Sequence, residues 1–334
     1  MSELRRDPLN GRWVIIAPER ADRPNAFLRR APMDEPMSSP FLPGKEQLTP
    51  PEVFALREPG SSWNGPGWNV RVVPNRFPAL RTETVLARKG TGLFDQVSGT
   101  GAHEVIVESP DPRGHLGTLP QEQVQRVLSA WAERIRDLSR DTRLRYAQLF
   151  QNHGQAAGAT VSHPHAQLIA LPLVPPDIVE ELAVARAHFE EKERCLTCDV
   201  LAQEREDRSR VVLETATVLA LAPYASRSPF EVQLFPKAHK SAFERTSDAE
   251  LAGLADALRL VLGKLDVALE KPAYNLFLVT QPLREPDAPH AHFRLGVRPA
   301  LALWGGFEWG AGLTINPTAP EEAARFLRQT EVPS

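Results

Sequence analysis

Apolar positions change their period along this chain, and the changes mark out its elements. From Gln121 to Leu138 they recur at helical spacing, with Val124, Val127, Leu128, Trp131, Ile135 and Leu138 on one face. Leu251 to Leu269 has the same period, and Pro320 to Gln329 predicts a short C-terminal helix. Strand-like runs flank the helices. GAHEVIVESP, residues 101–110, stops at a proline; Tyr146 to Gln151 and His163 to Ala170 follow, the latter ended by Pro172. The second half repeats this order: SPFEVQLFP from Ser228 to Pro236, the Leu251 helix, a strand at Tyr274 to Val279, and a His-x-His strand from His290 to Val297 ended by Pro299. Glu104 and His163 are 59 residues apart, and so are Glu231 and His290. Matching elements at matching spacing predict a tandem duplication of an α+β module, with halves at residues 1–172 and 173–334.

Length and charge narrow the functional classes. At 334 residues the chain is long enough for two modules with their own apolar interiors. Thirty-nine Lys and Arg against 42 Asp and Glu leave no basic field for a nucleic-acid backbone. No apolar run reaches the roughly 18 residues of a membrane span, and the N-terminal MSELRRDP lacks the apolar core of a signal peptide. These features lead us to expect a soluble, cytoplasmic protein. Prolines crowd the region before residue 80, so residues 20–66 read as a loop-rich segment ordered by packing, with disorder of 31–47 as the alternative. The two cysteines, Cys195 and Cys198, form a C-x-x-C pair. That spacing fits half a zinc site, a redox couple or two unrelated thiols; the preceding charged helical stretch, Val179 to Arg194, favours metal.

The densest chemistry lies in SHPHAQLIA, residues 162–170. Strand period two sends His163, His165 and Gln167 to one face, and three polar side chains there are costly to bury without a task. Pro164 lacks an N–H, which suits an edge or a bulge. Upstream, NHGQAAGAT (152–160) supplies small residues that let backbone N–H groups approach a phosphate. Neutral imidazole can attack phosphorus and split one transfer into two steps. Gln167 can hold a non-bridging oxygen but has no tunable proton, so it offers little to hydrolysis.

With these residues the sequence resembles the galactose-1-phosphate uridylyltransferase family, the transferase branch of the histidine-triad superfamily. The resemblance runs nearly end to end through GRWVIIAPERADRP (11–24), TPPEV (49–53), VPNRFPAL (73–80), HEVIVESP (103–110) and WGGFEWG (304–310). It implies duplicated histidine-triad modules with antiparallel sheets and packed helices, and a homodimer acting on a UDP-sugar and a sugar 1-phosphate. His165 would be the nucleophile of a ping-pong transfer, and Gln167, Gly158 and Thr160 would face the transferred phosphate. Arg20, Arg23, Asn75, Phe77 and Asn152 would surround the nucleotide. Phe307 and Glu308 match a sugar-contacting loop that in the family crosses a dimer interface. Cys195, Cys198, His239 and His292 would hold one structural zinc ion, with His290 as rival for the last place. A second family zinc site would need thiols where Ser39 and Leu42 stand, completed by His103 and His163, so zinc is expected to be lost there. Phe293-Arg294 replaces the needed Gln in the second repeat, which should be catalytically silent. Ala311 and Thr314 stand where relatives commonly have Thr and Tyr, which weakens galactose as the sugar. ADP-glucose phosphorylase, a relative that uses phosphate as acceptor, is the alternative within the family, and a non-catalytic nucleotide-binding protein is the alternative outside catalysis.

Overall fold

The structure, a computed structural model, describes residues 1–22, 39–285 and 287–333. Its strands are β1 (Glu3–Arg6), β2 (Trp13–Ile16), β3 (Phe54–Arg57), β4 (Trp68–Pro74), β5 (Arg88–Thr91), β6 (Phe94–Val97), β7 (Ala102–Val107), β8 (Tyr146–His153), β9 (His165–Leu171), β10 (Val211–Glu214), β11 (Val218–Leu221), β12 (Val232–Pro236), β13 (Tyr274–Val279), β14 (Arg294–Pro299) and β15 (Thr314–Asn316). The α-helices are α1 (Gln121–Leu138), α2 (Pro176–Lys192), α3 (Leu196–Asp207), α4 (Asp248–Ala268), α5 (Gly306–Ala311) and α6 (Pro320–Gln329). Among the described residues no helix is long and apolar enough to cross a membrane.

Ten strands form one sheet in the order β10-β11-β12-β14-β13-β8-β9-β7-β4-β3. Every pairing in it is antiparallel. The order reads alike from both edges: β7-β9-β8 in the first half faces β12-β14-β13 in the second, and β8 joins β13 at the centre, Phe150 opposite Phe277. The two halves therefore share a single sheet. They also meet in a small sheet where β15 runs parallel to β2.

The helical stripe read from the sequence is the core. Val124, Val127, Leu128, Trp131 and Ile135 of α1 are fully buried, and they join Leu254, Leu258, Val261 and Leu265 of α4 and Leu149, Leu168, Leu276 and Leu295 of the sheet in one apolar cluster. Serine 247 starts α4 with a reciprocal cap: its hydroxyl accepts from the Glu250 N–H, and the Glu250 carboxylate accepts from the Ser247 N–H at 2.9 Å. Glu104 of β7 receives both nitrogens of the Arg134 fork at 2.8 Å, tying α1 to the strand whose other face carries His103.

On the opposite sheet face, residues 39–52 pack against part of the first half, with Phe41 against Val73, Val105 and Val107. Glu52 and Arg71 are buried together, 2.8 Å apart, and Trp68 Nε1 donates to Glu46 at 2.9 Å. These buried bonds anchor a proline-rich stretch that has little secondary structure of its own. They seat Phe41 against the imidazoles of His163 and His165, ring centroids 5.9 and 5.5 Å away.

Candidate active site

β9 begins at His165, one residue after Pro164, so His163 precedes the strand rather than belonging to it. His165 lies opposite Val107 of β7, and Gln167 lies between Val105 on one side and Phe150 on the other. The alternate residues Ala166, Leu168 and Ala170 are fully buried in the helix-side core, which fixes His165 and Gln167 on the opposite face.

The His165 ring is held by one bond: Nδ1 lies 2.8 Å from the His163 carbonyl oxygen. His163 is itself held, Nε2 to the Ser109 carbonyl at 2.7 Å. Burial lowers the pKa of both rings, which keeps them neutral at pH 7. His165 lines an open cleft of about 340 Å³ with Asn152, Gly154 and Ser162, and Arg113 and Lys271 are among its other lining residues. The loop behind it is shaped by glycine. Gly154 has φ +80°, Gly158 has φ +91°, and Asn275 Nδ2 donates to both Asn152 Oδ1 (2.9 Å) and the Ala157 carbonyl (2.8 Å). Asn152 and Gly158 thus flank one backbone turn, and Thr160 is exposed beyond it.

Gln167 meets residues that the strand pattern alone does not bring to it. Its Oε1 lies 2.9 Å from His103 Nε2, and Asn75 Nδ2 lies 3.2 Å from the same nitrogen. Asn75 Oδ1 accepts from the Phe77 N–H, leaving the Phe77 ring exposed. His103 and His163, the histidines matched to the family zinc site expected to be lost here, do not come together. His163 reaches the carbonyl of Ser109, six residues past His103 and roughly 20 Å further along an extended chain. Ser39 Oγ accepts from the Phe41 N–H and Leu42 offers no donor atom, so the residues present do not fit that metal.

Arg20, Phe307 and Glu308 do not line the cleft that holds His165 in this single chain. Arg20 is exposed in the 3-10 turn after β2, and Arg23 falls outside the described residues. Phe307 and Glu308 lie in the first turn of α5; Glu308 accepts from the Gly305 N–H at 2.8 Å and lines a separate cleft with Arg12, Trp13, Arg227 and Trp304. Ser109, Phe41 and Asn275 support the site without having been singled out from the sequence, because their contacts come from backbone carbonyls and partners more than 50 residues away.

The C-x-x-C pair finds its histidines. The ligand atoms of Cys195, Cys198, His239 and His292 lie within 4.8 Å of one another. Cys198 Sγ is 3.5 Å from Nδ1 of both His239 and His292. His292 Nε2 bonds the Pro236 carbonyl at 3.0 Å, which turns Nδ1 toward the thiols as an oriented ligand requires. The hydrogen bond from Cys198 holds the Cys195 thiol far below its ordinary pKa, so one thiolate is already favoured. This donor set fits one metal ion. His290 presents its carbonyl to Cys195 instead, at 3.7 Å, and is not part of the cluster. In the second repeat Arg294 stands in the Gln167 position and is committed to Glu181, at 2.7 Å.

Residues 1–175 match the family model for the N-terminal domain of galactose-1-phosphate uridyl transferase, and residues 100–329 match a domain of unknown function, DUF4921. ADP-glucose phosphorylase of Arabidopsis thaliana is 36% identical over 99% of this chain and 93% of its own length. Galactose-1-phosphate uridylyltransferase of Thermotoga maritima is 32% identical over 99% of both. The solved structure of the Arabidopsis phosphorylase with bound ADP-glucose superposes with a TM-score of 0.85 at 34% identity over the whole of both chains. A uridylyltransferase structure gives 0.76 at 28% identity, covering 99% of this chain and 98% of that one. The histidine strand, the single antiparallel sheet and these matches agree: this chain is a member of the galactose-1-phosphate uridylyltransferase family, within the histidine-triad superfamily.

Proposed function

We propose that the chain moves a nucleoside monophosphate from a nucleotide sugar to an acceptor phosphate through a covalent nucleotidyl-histidine on His165. The tautomer of His165 carries this reading. A carbonyl oxygen only accepts, so Nδ1 bears the hydrogen donated to His163 and Nε2 keeps the lone pair. In the first step a bond forms between Nε2 and the α-phosphorus, and the bond from that phosphorus to the bridging oxygen breaks. The electron pair leaves with the sugar 1-phosphate. Positive charge developing on the ring is shared through Nδ1–H with the His163 carbonyl, and the Gln167 amide donates to a non-bridging oxygen. In the second step an oxygen of the acceptor phosphate attacks the same phosphorus, and the N–P electron pair returns to Nε2.

In this reading Gly158 and Thr160 would lie against the transferred phosphate, and Arg20, Arg23, Asn75, Phe77 and Asn152 would surround the nucleotide. Phe307 and Glu308 would serve the sugar from a second copy of the chain, in a homodimer, since the cleft that Glu308 lines in one chain does not include His165 and neither residue lines the His165 cleft. Cys195, Cys198, His239 and His292 would hold a zinc ion, which would cross-link α3 to the loops before β14 and after β12 and take no part in the transfer.

The greater identity to ADP-glucose phosphorylase favours ADP-glucose as donor and inorganic phosphate as acceptor. Transfer of uridylyl from UDP-glucose to galactose 1-phosphate is the second reading, supported by the Thermotoga relative. Incubation with ADP-glucose or UDP-glucose labelled in the α-phosphate separates them. Acid-labile, base-stable label on the protein that vanishes in His165→Ala is expected, and the donor that gives it names the base. Absence of label from both would overturn the covalent mechanism.

A further inference from the structure

His103 does a different job from the one its position suggested. Resting on the reading that the Gln167 amide donates a hydrogen bond to the transferred phosphate, we infer that His103 is a positioning residue that sets which way the Gln167 amide faces. His103 Nδ1 lies 3.1 Å from the Ala79 backbone nitrogen, a group that can only donate. Nδ1 therefore holds the lone pair, and in the neutral ring the hydrogen sits on Nε2. Two groups lie near that hydrogen. The Gln167 Oε1 at 2.9 Å can accept it; the Asn75 amide nitrogen at 3.2 Å cannot.

The amide oxygen of Gln167 is thus turned to His103, and its NH₂ is the end left for an oxyanion. Rotating the amide by half a turn would set the NH₂ against the His103 N–H, donor to donor, and present an oxygen to the phosphate. The strand register makes the contact. His103 lies opposite Ile169 and Gln167 opposite Val105, so the two are diagonal neighbours on one sheet face.

The same histidine also fastens the nucleotide-side turn. Its ring receives the Ala79 N–H, its carbonyl receives the Asn75 N–H at 2.8 Å, and Asn75 in turn receives the Phe77 N–H at 2.9 Å. His103 therefore joins the segment carrying Asn75 and Phe77 to the amide facing the phosphate. It acts through Gln167 and does not touch the reacting atoms.

The test is a double-mutant cycle on the single-turnover rate of His165 labelling. His103→Phe keeps the ring volume and removes both bonds. Measured at saturating donor, its rate should fall about 10- to 100-fold, on the scale of a misdirected oxyanion donor. His103→Gln, which can still donate to Gln167, should recover part of the loss. In a Gln167→Ala background, His103→Phe should cost less than about twofold, because the group it positions is gone. An equal loss in both backgrounds would show that His103 merely supports the strand and would overturn the inference. A wild-type protein that takes no label at all would instead defeat the nucleotidyl-transfer reading on which it rests.

Discussion

Gly154 joins the geometry of the phosphate-side loop to the stability of the sheet beneath it, and Gly154→Ala should break both. Its φ of +80° and ψ of 152° lie in a region that only glycine visits freely. An added Cβ would also meet the Ala273 Cβ at 2.8 Å and the Ala273 Cα at 3.2 Å. The conformational cost is about 1–3 kcal/mol, and forcing the packed neighbour aside adds about 1–3 kcal/mol. Ala273 immediately precedes β13, and β13 carries Asn275, which clamps the loop, so the strain cannot be relieved by moving Ala273 alone. We expect a loss of about 2–6 kcal/mol in urea unfolding, a large share of the stability of an ordinary domain. The double variant Gly154→Ala/Ala273→Gly should recover the steric part and keep the conformational part. Labelling of His165 should slow in the single variant, because Asn152 and Gly158 flank the displaced turn. A Gly154→Ala protein within about 0.5 kcal/mol of wild type would refute the argument that this loop is held in a glycine-only conformation.

Two further outcomes test other parts of the structure. Elemental analysis of the purified protein should find one zinc per chain; Cys198→Ser should reduce it well below one and lower the Tm, while His290→Ala should leave it unchanged, since His290 is outside the cluster. Burial, with the neighbouring His115 second, pushes the His153 pKa down to about 4, and its ring is stacked 4.7 Å from Tyr274. The unfolded chain therefore binds a proton that the folded one refuses, so stability should fall as pH drops from about 6.5 toward about 4, by on the order of 2–3 kcal/mol from this group. His153→Phe should flatten that slope in pH-dependent urea titrations, and an unchanged slope would remove His153 from the account.

Much of the scaffold was legible because it depends on local sequence. The apolar stripe of α1 and the proline-started α6 follow from side-chain period and backbone sterics within a few residues, and both occur at the expected positions. The repeated order of strand, helix, strand and strand likewise foretold which elements would answer one another across the sheet. Alternation likewise put His165 and Gln167 on one face, as the register of β9 has them.

Tertiary structure decided what those elements do to one another. Whether two halves build two sheets or one depends on β8 meeting β13 across more than 120 residues, and no local window contains that pairing. His103 sits within the strand motif itself, yet its partner is chosen by the register between β7 and β9, which gives it to Gln167 rather than to His163. The same holds for the metal cluster. Two cysteines at C-x-x-C spacing invite a metal, but His292 rather than His290 completes the set because a carbonyl of Pro236 turns that one ring toward the thiols. Sequence supplied the chemical groups and their local faces; long-range hydrogen bonds, each with one donor and one acceptor to satisfy, assigned them their tasks.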